Sequence, residues 1–147
     1  QRSFGPMRAL QHFGAEYPQK ANMNIISLAM IETDQAVNNL DAILSVPNLS
    51  GVYVGPADMS NSYGLKPNFD VKDDPVFSNI KLIVSKANEY NKIAGIHNGT
   101  VKYAKEMINL GYKFVTISSD YRSMITQAQS IVDEMKNTNN EKEDKTY

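Results

Sequence analysis

Two carboxylates and a glycine–proline turn carry most of the chemistry that can be read along this chain. Glu32 directly follows the apolar run at residues 24–31, and Asp58 closes the turn Gly55-Pro56-Ala57-Asp58 just after the short apolar run at 51–54. If the two runs are neighbouring strands, about 4.8 Å apart, both carboxylates face one small volume. Like charges so placed repel unless a cation lies between them. An all-oxygen pair suits Mg²⁺ or Mn²⁺, which keep positions open for water and substrate oxygens. Each acid also has a plainer explanation. Glu32 could sit at the positive end of the next helix, and Asp58 could order its own loop. Gly55 lets a ligand approach the backbone closely, and the N–H groups of Ala57 and Asp58 could cradle a carboxylate. An ordinary strand-to-helix turn uses the same residue types.

Other polar residues fall at similar places and say less. His97 and Asn98 end a third apolar run, and Ser118, Ser119 and Asp120 end a fourth. A lone histidine at a strand end is more often structural than catalytic, and Asp120 also suits a helix N-cap. His12 lies in an irregular opening stretch. The chain holds no Gly-x-Ser-x-Gly elbow and no phosphate-binding glycine loop. It has no cysteine, so thiolate metal sites and cysteine nucleophiles are excluded.

The elements that must position these residues alternate. The run NIISLAMI at 24–31 suits a strand buried on both faces. Ala36, Val37, Leu40, Ile43 and Leu44 then recur at helical spacing, which predicts one helix over 33–44 with Thr33 as N-cap. A strand at 51–55 leads into a loop at 56–74, rich in Gly, Pro, Asn and Asp. Asp74-Pro75 opens the next helix as N-cap and first residue, with Val76, Ile80, Ile83, Val84 and Ala87 on its apolar face. A strand at 92–97, a helix at 101–110 stopped by Gly111, a strand at 114–118 and a helix at 121–135 complete the series. Four consecutive strand–helix units imply parallel strands with right-handed crossovers. They fit an open doubly wound sheet or half of an eight-stranded barrel. Active sites in either lie where the strands end, at Glu32, Asp58, His97 and Ser118.

Bulk properties set the frame. The 147 residues are 41% hydrophobic and 21% charged, enough for one domain with a core. Net charge is −1 with no basic cluster, which argues against nucleic acid and against an anionic membrane surface. No apolar run nears the roughly 20 residues that cross a bilayer, and the expected setting is cytoplasmic. The first 20 residues read as a loop plus a short helix. Residues 137–147 (NTNNEKEDKTY) lack an apolar face and read as a disordered tail. The start at Gln1 rather than Met reads as a cut end.

Taken together, the motifs stop being generic. RSFGPMRA at 2–9, the stretch 17–22, AMIET at 29–33, NLDAI at 39–43 and GVYVGPADMS at 51–60 occur in order. GIH at 95–97, GYKFVT at 111–116 and Asp120 follow. This series resembles the HpcH/HpaI aldolase family, which includes 4-hydroxy-2-oxoheptanedioate aldolase and 2-keto-3-deoxy sugar-acid aldolases. The resemblance extends to about Met135. It implies an α/β fold of the (β/α)₈ TIM-barrel type, with residues 1–136 as its C-terminal half and the last four β/α units. It implies that Glu32 and Asp58 bind Mg²⁺, Mn²⁺ or Co²⁺, and that Gly55, Ala57 and Asp58 help hold the acid of pyruvate. The implied reaction is that of a class II aldolase, a carbon–carbon lyase. It cleaves a 4-hydroxy-2-oxo acid to pyruvate and an aldehyde through a metal-stabilised enolate. The implied assembly is a homo-oligomer, often a hexamer, that exchanges its last helix between subunits.

The departures are informative. The family's catalytic arginine and histidine belong to the first barrel half and are expected upstream of Gln1, so no catalytic residue is assigned here. Met30 stands where some members have a glutamine. A four-stranded half would leave apolar sheet edges and one side of a core uncovered, so the isolated chain is expected to be a weak catalyst or none. Two other readings stay open: a CoA-thioester lyase of the citrate lyase β-subunit type, and a non-catalytic half-barrel that serves binding or assembly.

Overall fold

The computed structural model describes residues 4–143, with side chains to 136. Two short helices, α1 (Met7–Phe13) and α2 (Tyr17–Asn24), precede the first strand, β1 (Leu28–Ile31). Then come α3 (Asp34–Asn38), α4 (Leu40–Leu44), β2 (Gly51–Val54), α5 (Pro56–Ser62) and α6 (Val76–Glu89). The chain continues through β3 (Ile93–Asn98), α7 (Val101–Leu110), β4 (Phe114–Ile117) and α8 (Asp120–Glu143). The strands form one parallel sheet in the order β1-β2-β3-β4. This is the mixed α/β architecture that the alternating pattern predicts.

Helices cover one face of that sheet. α6 packs on β2 and β3, α7 on β3 and β4, and α4 lies against α6. Between them sits a core that includes Ile31, Val52, Val54, Ile80, Ile83, Ile96 and Met107, all fully buried. Burying each such side chain contributes about 1.5–3 kcal/mol. Residues alternate along a strand, so Met30, Tyr53, Gly95, His97, Phe114 and Thr116 share the opposite face. No described helix covers them, and Met30 and Phe114 are about half exposed. Among the described residues no helix is long and apolar enough to cross a membrane.

Several elements differ from the pattern-based expectation. The helix predicted over 33–44 is two short ones broken at Asn39, whose amide donates to the Gln35 carbonyl. The expected loop at 56–74 begins with α5, where Pro56 takes the first helical position and Ser60 Oγ donates to the Pro56 carbonyl at 2.8 Å. The opening stretch holds two helices rather than one. Pro75 sits at the N-cap of α6 rather than inside it, but Asp74 still serves that helix start. Its Oδ1 accepts from the Ser78 N–H at 3.0 Å and from the Ser78 hydroxyl at 2.6 Å. The cap of α8 is Ser119, whose Oγ accepts from Arg122 N–H, while Asp120 takes the neighbouring Tyr121 N–H. The helix then runs on to Glu143, since no proline or glycine interrupts 137–143. Only 144–147 of the expected disordered tail lie outside the described residues. Thr33 caps α3 and Gly111 ends α7 in the left-handed region at φ 109°, as expected.

Candidate functional site

The strand ends do converge. Ile31 pairs with Val54, so Glu32, one residue on, stands level with Gly55. Val54 pairs with Ile96, which places Gly55 level with His97, and His97 pairs with Thr116. Glu32, Gly55, His97 and Thr116 therefore form one rung across the C-terminal rim, on the face no helix covers.

Gly55 leaves the centre of that rung open. A Cβ built there would lie 3.1 Å from Glu32 Oε2 and 3.6 Å from Asp58 Oδ2. The two carboxylates thus reach the same point, Glu32 from the end of β1 and Asp58 from the first turn of α5. Neither accepts a hydrogen bond or ion pair from a described residue. Glu32 is half-buried and Asp58 exposed. Two facing carboxylates without partners are a donor set that a divalent cation would satisfy. Among the described residues no third acid or imidazole joins them. That suits a cation such as Mg²⁺, which takes one or two carboxylates and fills its other positions with water and substrate oxygens.

Local ties hold the two acids in register. Asp34 donates its backbone N–H to Ser62 Oγ at 3.0 Å, and its Oδ1 accepts from the Tyr63 hydroxyl at 2.8 Å. Asn79 of α6 donates to that same hydroxyl at 2.8 Å. The loop after β1 is thereby pinned to the far end of α5. Burial, with Asp34 beside it, pushes the Tyr63 hydroxyl above its ordinary pKa, so it stays a donor. At the other end of α5, the first-turn N–H groups of Ala57 and Asp58 have no helical acceptor, as at any helix start.

The remaining strand-end residues belong to a second cluster. His97 Nδ1 lies 2.9 Å from Thr116 Oγ1, which in turn lies 2.5 Å from the Tyr53 hydroxyl. Phe69 meets the imidazole edge-on at 5.0 Å, and the Arg122 guanidinium lies 5.6 Å from the Phe69 ring centre. Asp70 anchors that segment, accepting from Gly99 N–H at 2.7 Å and from the Thr100 hydroxyl at 2.6 Å. Asn98 is fully buried on the helix side and donates to the Ile96 and Thr116 carbonyls. Ser118 and Ser119 turn the chain into α8, and His12 is exposed on α1. Tyr53, Phe69, Asp70, Thr116 and Arg122 escaped notice in the sequence. Strand alternation places Tyr53 and Thr116 on His97's face, but only the register sets them side by side.

The family described as HpcH/HpaI aldolase/citrate lyase matches residues 6–127. Hydroxypyruvate/pyruvate aldolase of Rhizorhabdus wittichii is 34% identical over 131 residues, covering 89% of this chain and 52% of that protein. 5-Keto-4-deoxy-D-glucarate aldolase of Escherichia coli is 31% identical over 122 residues, 83% of this chain and 47% of that protein. The chain spans about half the length of these relatives. Among solved structures, an HpcH/HpaI aldolase/citrate lyase family protein from Burkholderia cenocepacia superposes with TM-score 0.78 at 22% identity, over 92% of this chain and 53% of that one. The citrate lyase β subunit of M. tuberculosis, complexed with oxaloacetate and magnesium, gives 0.55 at 13% identity, over 69% and 51%. These likenesses carry the fold alone: four strand–helix units of a TIM-barrel-type protein.

Proposed function

This chain belongs to the HpcH/HpaI aldolase/citrate lyase family, and from that premise we propose that it is the C-terminal half of a metal-dependent aldolase. Residues 1–136 supply the last four β/α units of the barrel. The substrate is a 4-hydroxy-2-oxo acid, cleaved to pyruvate and an aldehyde. The observation that carries this reading is the approach of Glu32 and Asp58 to the single open point at Gly55.

The roles follow from position. Glu32 and Asp58 would hold Mg²⁺, Mn²⁺ or Co²⁺. A bound cation would supply Lewis acidity at the keto group, where negative charge develops as the C3–C4 bond breaks. The citrate lyase β subunit complexed with oxaloacetate and magnesium supports the pairing of a 2-oxo acid with a divalent ion. Gly55 keeps the space clear, and the N–H groups of Ala57 and Asp58 take the substrate carboxylate. The catalytic arginine and histidine come from the other barrel half, which also covers Met30, Tyr53 and Phe114. Assembly belongs to the same reading. Tyr121, Met124, Ile125, Ile131, Val132 and Met135 are exposed on α8, and exchange of this helix within a homo-oligomer, such as a hexamer, would bury them.

Calorimetry with Mn²⁺, with and without pyruvate, tests the site on this chain and on Glu32→Gln and Asp58→Asn. Binding that tightens with pyruvate and is lost in both variants supports the proposal. A folded chain that binds no Mn²⁺ moves the non-catalytic half-barrel ahead.

A further inference from the structure

His97 is one strand removed from the carboxylate pair, and Gly55 places no side chain between them. A substrate whose 2-oxo acid end sits at Glu32 and Asp58 must send its remaining carbons along the open face. One direction along the rung leads to the next strand, about 4.8 Å further on, which carries the imidazole, with Phe69 and Arg122 beyond it.

The hydroxyl chain behind His97 selects its tautomer. Thr116 Oγ1 has one hydrogen and two close neighbours, Tyr53 Oη and His97 Nδ1. Tyr53 donating to Thr116, and Thr116 donating to Nδ1, gives both hydroxyl hydrogens an acceptor. Any arrangement in which Nδ1 carries the proton leaves one of the two hydroxyl hydrogens without an acceptor in this set. In the favoured direction Nδ1 accepts and Nε2 carries the proton. Tyr53 is itself held in place, its ring lying over Gly95 and 5.8 Å from that of Phe114.

We propose that His97 donates a hydrogen bond from Nε2 to an oxygen on the aldehyde-derived half of the substrate, with Thr116 and Tyr53 as positioning residues that fix the donor tautomer. The inference rests on the aldolase reading and deepens it. It makes the preferred partner an aldehyde with a hydroxyl or carboxylate next to its carbonyl, favoured further by the Arg122 cation, over an alkyl aldehyde of the same size.

Three measurements on the full-length protein separate the outcomes. Exchange of pyruvate methyl protons in D₂O with Mn²⁺ reads enolisation without any aldehyde, and so independently of His97's proposed contact; its absence removes the aldolase reading and this inference with it. With exchange present, kcat/KM is compared for glycolaldehyde and propanal. The preference for glycolaldehyde is expected to fall about tenfold in His97→Leu, equivalent to about 1.4 kcal/mol. His97→Gln, whose amide reaches the Nε2 position, should restore part of it. An unchanged ratio in both variants overturns the inference while the aldolase reading stands. Without metal, long-range ¹H–¹⁵N NMR reads the tautomer directly, the His97 signals being assigned by their loss in His97→Gln. The Nε2–H form is expected, giving way to a mixture in Thr116→Val, whereas an Nδ1–H form in the unaltered protein contradicts the proposal.

Discussion

Glu32 Oε2 lies 3.1 Å from the point where Gly55 would carry a Cβ. That distance is tighter than ordinary carbon–oxygen contact, so a methyl group there must displace the carboxylate. Gly55→Ala is therefore expected to weaken Mn²⁺ binding about tenfold, or about 1.4 kcal/mol, while circular dichroism shows the fold retained. Equal affinity in the variant would mean the carboxylates do not meet a cation at this point.

Charge removal should act in opposite directions with and without metal. The facing carboxylates have no partner, so in metal-free protein Glu32→Gln should leave the thermal midpoint unchanged or raise it. With Mn²⁺ at a hundredfold excess over its Kd, the unaltered protein gains about 2.7 kcal/mol and the order reverses. A midpoint that falls without metal would assign Glu32 a structural role instead.

Asp70 ties the segment ahead of α6 to the turn between β3 and α7. Asp70→Asn keeps an amide oxygen for the Gly99 N–H but loses the charge and the acceptor of the Thr100 hydroxyl, a hydrogen bond worth roughly 1.5–3 kcal/mol. Urea unfolding should show a loss of at least the smaller figure. The Phe69–His97 contact should loosen too, visible as a shift of the imidazole resonances.

Tyr103 is buried against the segment that leads to α6 and donates to the Val71 carbonyl. Burial, with Asp70 and Glu106 adding to it, pushes its hydroxyl well above the ordinary range, so it remains a donor through alkaline pH. Tyr103→Phe leaves that carbonyl short of a donor and should cost about 1–3 kcal/mol by urea unfolding. A loss below the error of the measurement would show that water replaces the hydroxyl.

Asp74 gives a pH dependence of known sign. The Ser78 hydroxyl, and then its backbone N–H, hold this carboxyl below the usual carboxylate range. A group whose folded pKa is depressed adds stability above its unfolded value and loses it as pH falls through the folded one. The difference in thermal midpoint between the unaltered protein and Ser78→Ala should thus be full near neutrality and shrink in strong acid. A difference that grows on acidification would contradict the assignment.

Much of the fold was legible because buried parallel strands read as short continuous apolar runs and their covering helices as stripes of 3.6 period. That is why 51–54 and 114–117 were placed within a residue or so. Boundaries that depend on single hydrogen bonds were not legible. The break at Asn39 comes from a side-chain amide reaching back to Gln35, and α5 is hidden because its residues are those of a turn. Ser119 displaced Asp120 as cap because both residue types suit the position and only geometry chooses between them.

Residue types and order along the chain by themselves determined the four strand–helix units and the two acids that follow β1 and β2, since burial patterns and strand-end placement are local properties. Tertiary structure alone decided what shares a rung. Glu32 and Asp58 are 26 positions apart, yet both reach the space that Gly55 leaves open. Tyr53, Thr116 and His97 become one hydrogen-bonded set only through the pairing of β2, β3 and β4. Periodicity says which face a side chain takes, but register says which side chain it meets there, and register depends on the packing of the whole sheet.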